Sequence, residues 1–174
     1  MRFAALLTLA TTLLTPLTLA LPSESSNQLQ ASPADLSALA AKLKLKVNRK
    51  PGRGSTCPET KNPRRKPHPK RLYTENQITK AFMVGATHAA NDRQVGEGRY
   101  PHVFYNSEGL KFPCGRNLME FPIQEDNQEF KRGGTDEIPD RVVFEYTKNK
   151  KEFIVQYCGV MRHGPGKDFL LCPQ

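Results

Sequence analysis

Hydrophobic positions fall along this chain in three styles. From Phe3 to Leu21 they form one nearly continuous run, from Thr74 to Asn91 they recur with a helical period, and beyond Arg99 they gather in short segments. In the middle stretch Ile78, Ala81, Phe82, Gly85, Ala86 and Ala89 are spaced i, i+3, i+4, i+7, i+8 and i+11, which predicts one buried helix face. Thr74 with Gln77 three residues later forms a capping box, and Glu75 suits the first turn. His88 falls off the stripe, which predicts a surface position rather than a ligand role.

Beyond Arg99 the pattern changes to strand and turn. Tyr100–Phe104, Leu118–Ile123, Arg141–Tyr146, Phe153–Met161 and Asp168–Leu171 are rich in β-branched and aromatic residues. They are separated by Asn106-Ser107-Glu108-Gly109, Lys131-Arg132-Gly133-Gly134, Lys148-Asn149-Lys150 and Gly164-Pro165-Gly166. One helix followed by five short strands predicts an α+β domain: a helix packed on a twisted antiparallel β-sheet. Upstream, Lys61 to Arg71 carries six basic residues among Pro63, Pro67 and Pro69, too proline-rich for a helix, so an extended loop or edge hairpin is expected.

The first run has the marks of a signal peptide over residues 1–20: Arg2 ahead of it, Pro16 within it, and Thr18-Leu19-Ala20 as a small-x-small exit. No other segment approaches the roughly 18 apolar residues of a membrane span, so a secreted protein without stable membrane insertion is expected. Residues 21–33 are polar and aperiodic. Asp35 to Lys46 reads equally as an amphipathic helix or, through Lys42, Lys44 and Lys46 alternating with Leu43, Leu45 and Val47, as a strand. We expect 21–54 to be a disordered pro-segment or mobile arm, and 55–174 to be the domain.

Charge adds a partner class. The 174 residues carry 26 Lys and Arg against 17 Asp and Glu, a formal net charge of +9, which points to a polyanionic partner. Residues 42–53 hold six of those cations and no acid. The four cysteines, Cys57, Cys114, Cys158 and Cys172, imply two disulfides in a secreted chain, and spacing alone leaves three pairings open. Their intervals do not resemble a zinc knuckle, so disulfides are expected, with a structural zinc as the alternative.

Alternation along strands puts Tyr100, His102 and Phe104 on one face, and leaves Glu120 mid-strand between apolar neighbours directed the other way. Arg141 opens one strand and His163 ends another. Arg141 has Asp140 and Glu145 as alternative ion-pair partners. A charged residue inside a strand is expensive unless paired or hydrated in a cleft. Two His, one Glu, one Arg and one Tyr on one small sheet supply a base, an acid and cationic stabilisation, the needs of phosphodiester transfer.

These residues lie in motifs that resemble a known family. RYPHVFYNSEGLKF (99–112), LMEFPI (118–123), RGG with PDRVVFEY (132–146) and YCGVMRHGPGKDFLLC (157–172) resemble, in order and spacing, the guanyl-specific ribonucleases of fungi and their sarcin-type ribotoxin relatives. TCPETKNPRRKPHPKRLYTENQ (56–77) is similar to the basic N-terminal hairpin of the ribotoxin branch. The resemblance implies a microbial ribonuclease fold and a guanyl-preferring endoribonuclease, working without cofactor or metal through a 2′,3′-cyclic phosphate. It implies Glu120 as general base toward the ribose 2′-hydroxyl, His163 as general acid toward the 5′-oxygen and His102 beside the 2′-hydroxyl. Arg141 and Tyr100 would lie on the phosphate oxygens, with Phe169 against the phosphate site. Glu108 and Asn106 would read guanine, and Phe104 would stack on it. Ser107 departs from the family, standing where an aromatic sandwiches the base, which leaves guanine or, more loosely, purine as the base cleaved after. The disulfides implied are Cys57–Cys172 and Cys114–Cys158.

The partner implied is RNA, with ribosomal RNA one candidate target and DNA excluded because the 2′-hydroxyl is the nucleophile. A monomer is expected. Ribotoxins carry a long Lys-rich loop where this chain has only Leu110 to Asn117, which sets ribosome-specific cleavage against general cleavage. The rival reading is an inactive ribonuclease-like effector that binds RNA or a host protein.

Overall fold

The computed structural model describes residues 43–61, 66–166 and 168–174. The expected signal peptide and residues 21–42 lie outside the described residues, as do Arg64 and Arg65 of the basic segment. Among the described residues, eight strands and one helix follow one another: β1 (Lys44–Arg49), β2 (Ser55–Cys57), β3 (Arg71–Tyr73), α1 (Glu75–Ala90), β4 (His102–Phe104), β5 (Leu118–Pro122), β6 (Asp140–Lys148), β7 (Glu152–His163) and β8 (Phe169–Cys172). The α+β expectation holds.

The helix begins where the capping box predicts. The Thr74 hydroxyl accepts from the Gln77 amide, and the Gln77 side chain reaches back to the Thr74 amide. Ile78, Phe82, Ala86 and Ala89 are buried against Phe121, Val142, Phe144, Val155 and Tyr157 of the sheet. Gly85 permits this close approach, because a Cβ there would lie 2.7 Å from that of Phe121. His88 is a correction: it is buried, its ring 6.0 Å from that of Phe121. The loop after β5 covers that helix flank, with Gln77 donating to the Glu125 carbonyl and Lys80 to that of Asn127.

The main sheet runs β1-β7-β6-β5-β4, with β8 on the far half of β7. All pairs are antiparallel except β1 with β7, so the sheet is mixed rather than purely antiparallel. Residues 44–49 were expected in a mobile arm, and this too is corrected. Lys44 pairs with Glu152 and Val47 with Val155. Leu45 and Val47 pack on the helix-side core while Lys44 and Lys46 remain exposed, so burial of two apolar residues outweighs the charge of the segment. Arg49 fastens its end. Its guanidinium donates to the Tyr157 carbonyl at 3.0 and 2.9 Å and to that of Pro113 at 2.8 Å, where β7 passes from β1 to β8. The folded unit therefore begins upstream of Ser55.

The basic segment forms a hairpin. β2 and β3 pair from Ser55↔Tyr73 to Cys57↔Arg71, and Thr60 bridges His68. Cys57–Cys172 ties this hairpin to β8, and Cys114–Cys158 ties the 110–117 loop to β7, the two pairings that the resemblance implied. Between Val143 and Phe144 the β6–β7 register shifts, leaving Cys158 as the extra residue on β7. Among the described residues, no helix is long and apolar enough to cross a membrane.

Candidate active site

The sheet face away from α1 carries a second apolar cluster, Phe104, Leu118, Val143, Cys158 and Met161. Strand alternation places Glu120, Arg141 and His163 on this face. The β4–β5 ladder sets His102 opposite Glu120, and His102 Nε2 lies 2.7 Å from Glu120 Oε1. Nδ1 of the same ring lies 2.9 Å from the Gly98 carbonyl oxygen. A carbonyl only accepts, so Nδ1 carries a proton, and a second proton must lie between Nε2 and the carboxylate. The hydrogen bond to Glu120 accordingly raises the His102 pKa above its usual value, against the opposing effect of burial.

Arg141 enters from β6, opposite Pro122, and is fully buried. Its Nη2 donates to the Tyr100 hydroxyl at 3.1 Å, and Nη1 donates to the carbonyls of Asp140, at 2.9 Å, and Ile138. The guanidinium carbon sits 5.1 Å from the centre of the Tyr100 ring, within cation–π range. Tyr100 in turn stacks on His102 at 4.4 Å. Arg141 Nε and Glu120 Oε2 are 3.8 Å apart, too far for a hydrogen bond. Both atoms are buried, and among the described residues neither has a hydrogen-bond partner. Two unsatisfied buried atoms of opposite charge are costly, and such atoms call for a functional explanation.

His163 closes β7. Its ring is 4.1 Å from that of Phe169, its ladder partner in β8. Phe169 meets Phe104 edge-on at 5.7 Å, and Phe104 meets Phe112 edge-on at 6.2 Å. Of the residues singled out from sequence, His102, Glu120, Arg141 and Tyr100 thus touch one another. His163, Phe169 and Phe104 form an adjoining series of rings on the same face.

Glu108 stands apart, exposed at the turn after β4. Asn106 has a positive φ of 51°, and its side chain both accepts from the Leu110 amide at 2.8 Å and donates to the Leu110 carbonyl at 2.9 Å. It shapes the loop, in which the Gly109 amide also donates to the Asn106 carbonyl at 3.0 Å. Phe104 is buried, whereas neighbouring Tyr105, which sequence reasoning passed over, is 85% exposed.

Sequence reading also passed over a fully buried ion pair between Arg162 and Asp140. Arg162 Nε and Nη2 bond Asp140 Oδ1 and Oδ2, each at 2.7 Å, with both side chains fully buried. The Tyr73 hydroxyl donates to Asp140 Oδ2 at 2.6 Å, and Arg162 Nη1 donates to the carbonyls of Pro58 and Pro69. Neither the Asp140 nor the Glu145 carboxylate is therefore the ion-pair partner of Arg141. Asp140 serves Arg162, and Glu145 accepts from Gln156. Burial, reinforced by Asp140, drives the Tyr73 pKa strongly upward, keeping that hydroxyl a donor. Cys57, Asp140 and Cys172 lie close enough to suggest a metal group. The two cysteines are joined in a disulfide and Asp140 is engaged by Arg162 and Tyr73, so these donors do not fit an ion.

Known proteins share this arrangement of sequence. A family model described as ribonuclease matches residues 62–172, well over half of the chain. Guanyl-specific ribonuclease Ap1 of Aspergillus pallidus is 30% identical over 102 residues, covering 58% of this chain and 89% of that protein. Guanyl-specific ribonuclease Pc of Penicillium chrysogenum is 33% identical over 103 residues, with the same coverage of 58% and 89%. Guanyl-specific ribonuclease N1 of Neurospora crassa is 27% identical over 100 residues, covering 58% of this chain and 61% of that protein. A match of this extent, over the segment that builds both the helix–sheet core and the polar face, establishes that the chain belongs to the ribonuclease family.

Proposed function

We propose that the protein is a secreted endoribonuclease that cleaves RNA on the 3′ side of guanine by transphosphorylation, without a metal, through a 2′,3′-cyclic phosphate. The observation that carries this reading is the buried Glu120–Arg141 gap, flanked by the His102–Glu120 hydrogen bond. In the proposed reaction Glu120 takes the proton of the 2′-hydroxyl as its oxygen attacks phosphorus. His163 gives a proton to the departing 5′-oxygen, so that charge balances across the step. Arg141 and Tyr100 stabilise the charge that builds on the phosphate oxygens, from a water-poor site where such interactions are strong. His102, hydrogen-bonded to Glu120 Oε1 at 2.7 Å, holds that carboxylate in position. Phe169 forms an apolar wall beside His163.

Guanine preference rests on the names of the relatives and on the turn after β4. Glu108 would accept from guanine N1–H and N2, the loop shaped by Asn106 would offer backbone groups, and Phe104 would floor the pocket. Adenine would leave that carboxylate unpaired. Secretion is supported by the run at residues 1–20 and by the two disulfides. The contact set that includes His102, Glu120 and Arg141 favours an active enzyme over an inactive binding relative. The test is incubation with a GpN dinucleotide and phosphorus NMR of the products. A cyclic phosphate signal that precedes the 3′-phosphate is expected, and its absence with intact protein overturns the reading.

A further inference from the structure

The cations of this chain are unevenly used. In the basic hairpin, Lys61 pairs with Glu59 at 3.1 Å, Lys66 with Glu137 at 3.1 Å, and Arg71 with Glu125. Residues 43–54 and 148–151 differ. Together they hold eight Lys and Arg and no acid, in a chain whose net charge is +9. Among the described residues, Lys44, Lys46, Lys150 and Lys151 are exposed, and none is in ion-pair contact with a carboxylate.

These lysines sit on ordered backbone. Asn149 accepts with its side-chain oxygen from the amides of Lys151 and Glu152, at 2.8 and 2.7 Å, which fixes the β6–β7 turn. The Lys44 amide donates to the Lys151 carbonyl at 2.9 Å, locking the start of β1 against that turn. Lys44, Lys150 and Lys151 thereby line one hollow with Asn149 and Glu152. Leu45 and Val47 face the helix-side core, so alternation turns Lys44 and Lys46 to the other face, the one that carries Glu120. Lys46 pairs with Ile154, which pairs with Thr147, four residues along β6 from the Val143 that faces Glu120. Three strand spacings across and four residues along put Lys46 about 20 Å from Glu120. The matched family segment starts at residue 62, so β1 is an addition to it.

We infer that β1 and the β6–β7 turn form a second RNA-backbone site, which holds the substrate strand at phosphates remote from the scissile one. The inference rests on the ribonuclease reading for its partner, and charge complementarity selects that partner: unpaired lysines clustered at the β1 and turn edge of the sheet suit a chain of phosphates, each contact releasing counterions. β1 then has a function beyond extending the sheet, because it brings lysines from outside the matched segment to the edge of β7.

The experiment uses the full chain and a non-cleavable 2′-O-methyl oligonucleotide of about 20 nucleotides, long enough to reach both sites, with binding followed against salt. Lys44→Gln/Lys46→Gln/Lys150→Gln/Lys151→Gln should lower the slope of log affinity against log salt by about 0.7 for each phosphate no longer neutralised, or about 3 in all. Its kcat/KM on a GpN dinucleotide, too short to span 20 Å, should be unchanged. Lys61→Gln/Lys66→Gln, which removes lysines already paired, should keep the parental slope. An unchanged slope in the fourfold variant overturns the inference, as does a parallel fall in dinucleotide cleavage. Loss of binding to phosphatidylserine vesicles in the fourfold variant, with its RNA slope unchanged, assigns the surface to membranes and overturns it as well. Because the oligonucleotide measurement needs no turnover, a parent protein that cleaves nothing would sink the catalytic reading while leaving this one standing.

Discussion

Replacing Asp140 by Asn tests the packing that holds the site together. Asp140 and Arg162 are both fully buried, joined by two hydrogen bonds of 2.7 Å, and Tyr73 adds a third to the carboxylate. The amide keeps the shape but removes the charge and one acceptor, leaving the Arg162 guanidinium buried without a counterion. Burial disfavours that cation, and the hydrogen bond and charge of Asp140 outweigh it. Breaking one partner of such a pair costs about 3–5 kcal/mol. With each kcal/mol worth roughly 2–8 °C at this size range, the melting temperature should fall by at least about 6 °C. Arg162 also donates to the Pro58 and Pro69 carbonyls, so Arg162→Met should cost a similar amount and loosen the basic hairpin. Thermal unfolding by circular dichroism, with disulfides intact, measures both. In Asp140→Asn/Arg162→Met no buried charge is left alone, so the double variant should be less destabilised than the sum of the two singles. A destabilisation below about 1 kcal/mol in Asp140→Asn, or strict additivity in the double variant, would refute the reasoning.

Two further outcomes follow from particular side chains. Burial lowers the His88 pKa below 6.5, with Arg93 adding to the effect and Glu129 opposing it; the unfolded chain then binds the extra proton more readily, so stability present above pH 6.5 is lost as pH falls below it. His88→Leu should flatten that acid-side decline in urea titrations taken at several pH values, and an unaltered pH profile counts against the assignment. Glu108→Ala should erase discrimination between GpN and ApN while cleavage continues, and a variant that keeps its preference removes Glu108 from base reading.

The elements legible in sequence were those with a local period. The Thr74–Gln77 box and the Ile78–Ala89 stripe gave the helix, and apolar runs bounded by turn residues gave β4 to β8 within a residue or two. β1 was obscured because its lysine–leucine alternation sits in a segment of six cations, and its pairing with β7 spans over 100 positions. Nothing local signals a parallel partner that distant. His88 was misplaced because the helical stripe records only the sheet-facing side, whereas a loop buries its flank. Glu120 and His102 were legible as polar residues in apolar strands, and the ladder brings them together. The Arg162–Asp140 pair was not. Each residue has a nearer apparent partner in sequence, and only the β6–β7 register sets them opposite.

Catalysis in this scheme turns most directly on the two proton-transfer groups. Glu120→Gln and His163→Gln, assayed on a GpN dinucleotide across pH 4 to 9 with folding checked by circular dichroism, should each lower kcat/KM by about 100-fold or more, the usual contribution of positioned acid–base groups. The parent should show a bell-shaped profile, with Glu120→Gln flattening the acid limb and His163→Gln the basic one. Near-parental rates in either folded variant, with both limbs retained, would contradict the proposed mechanism.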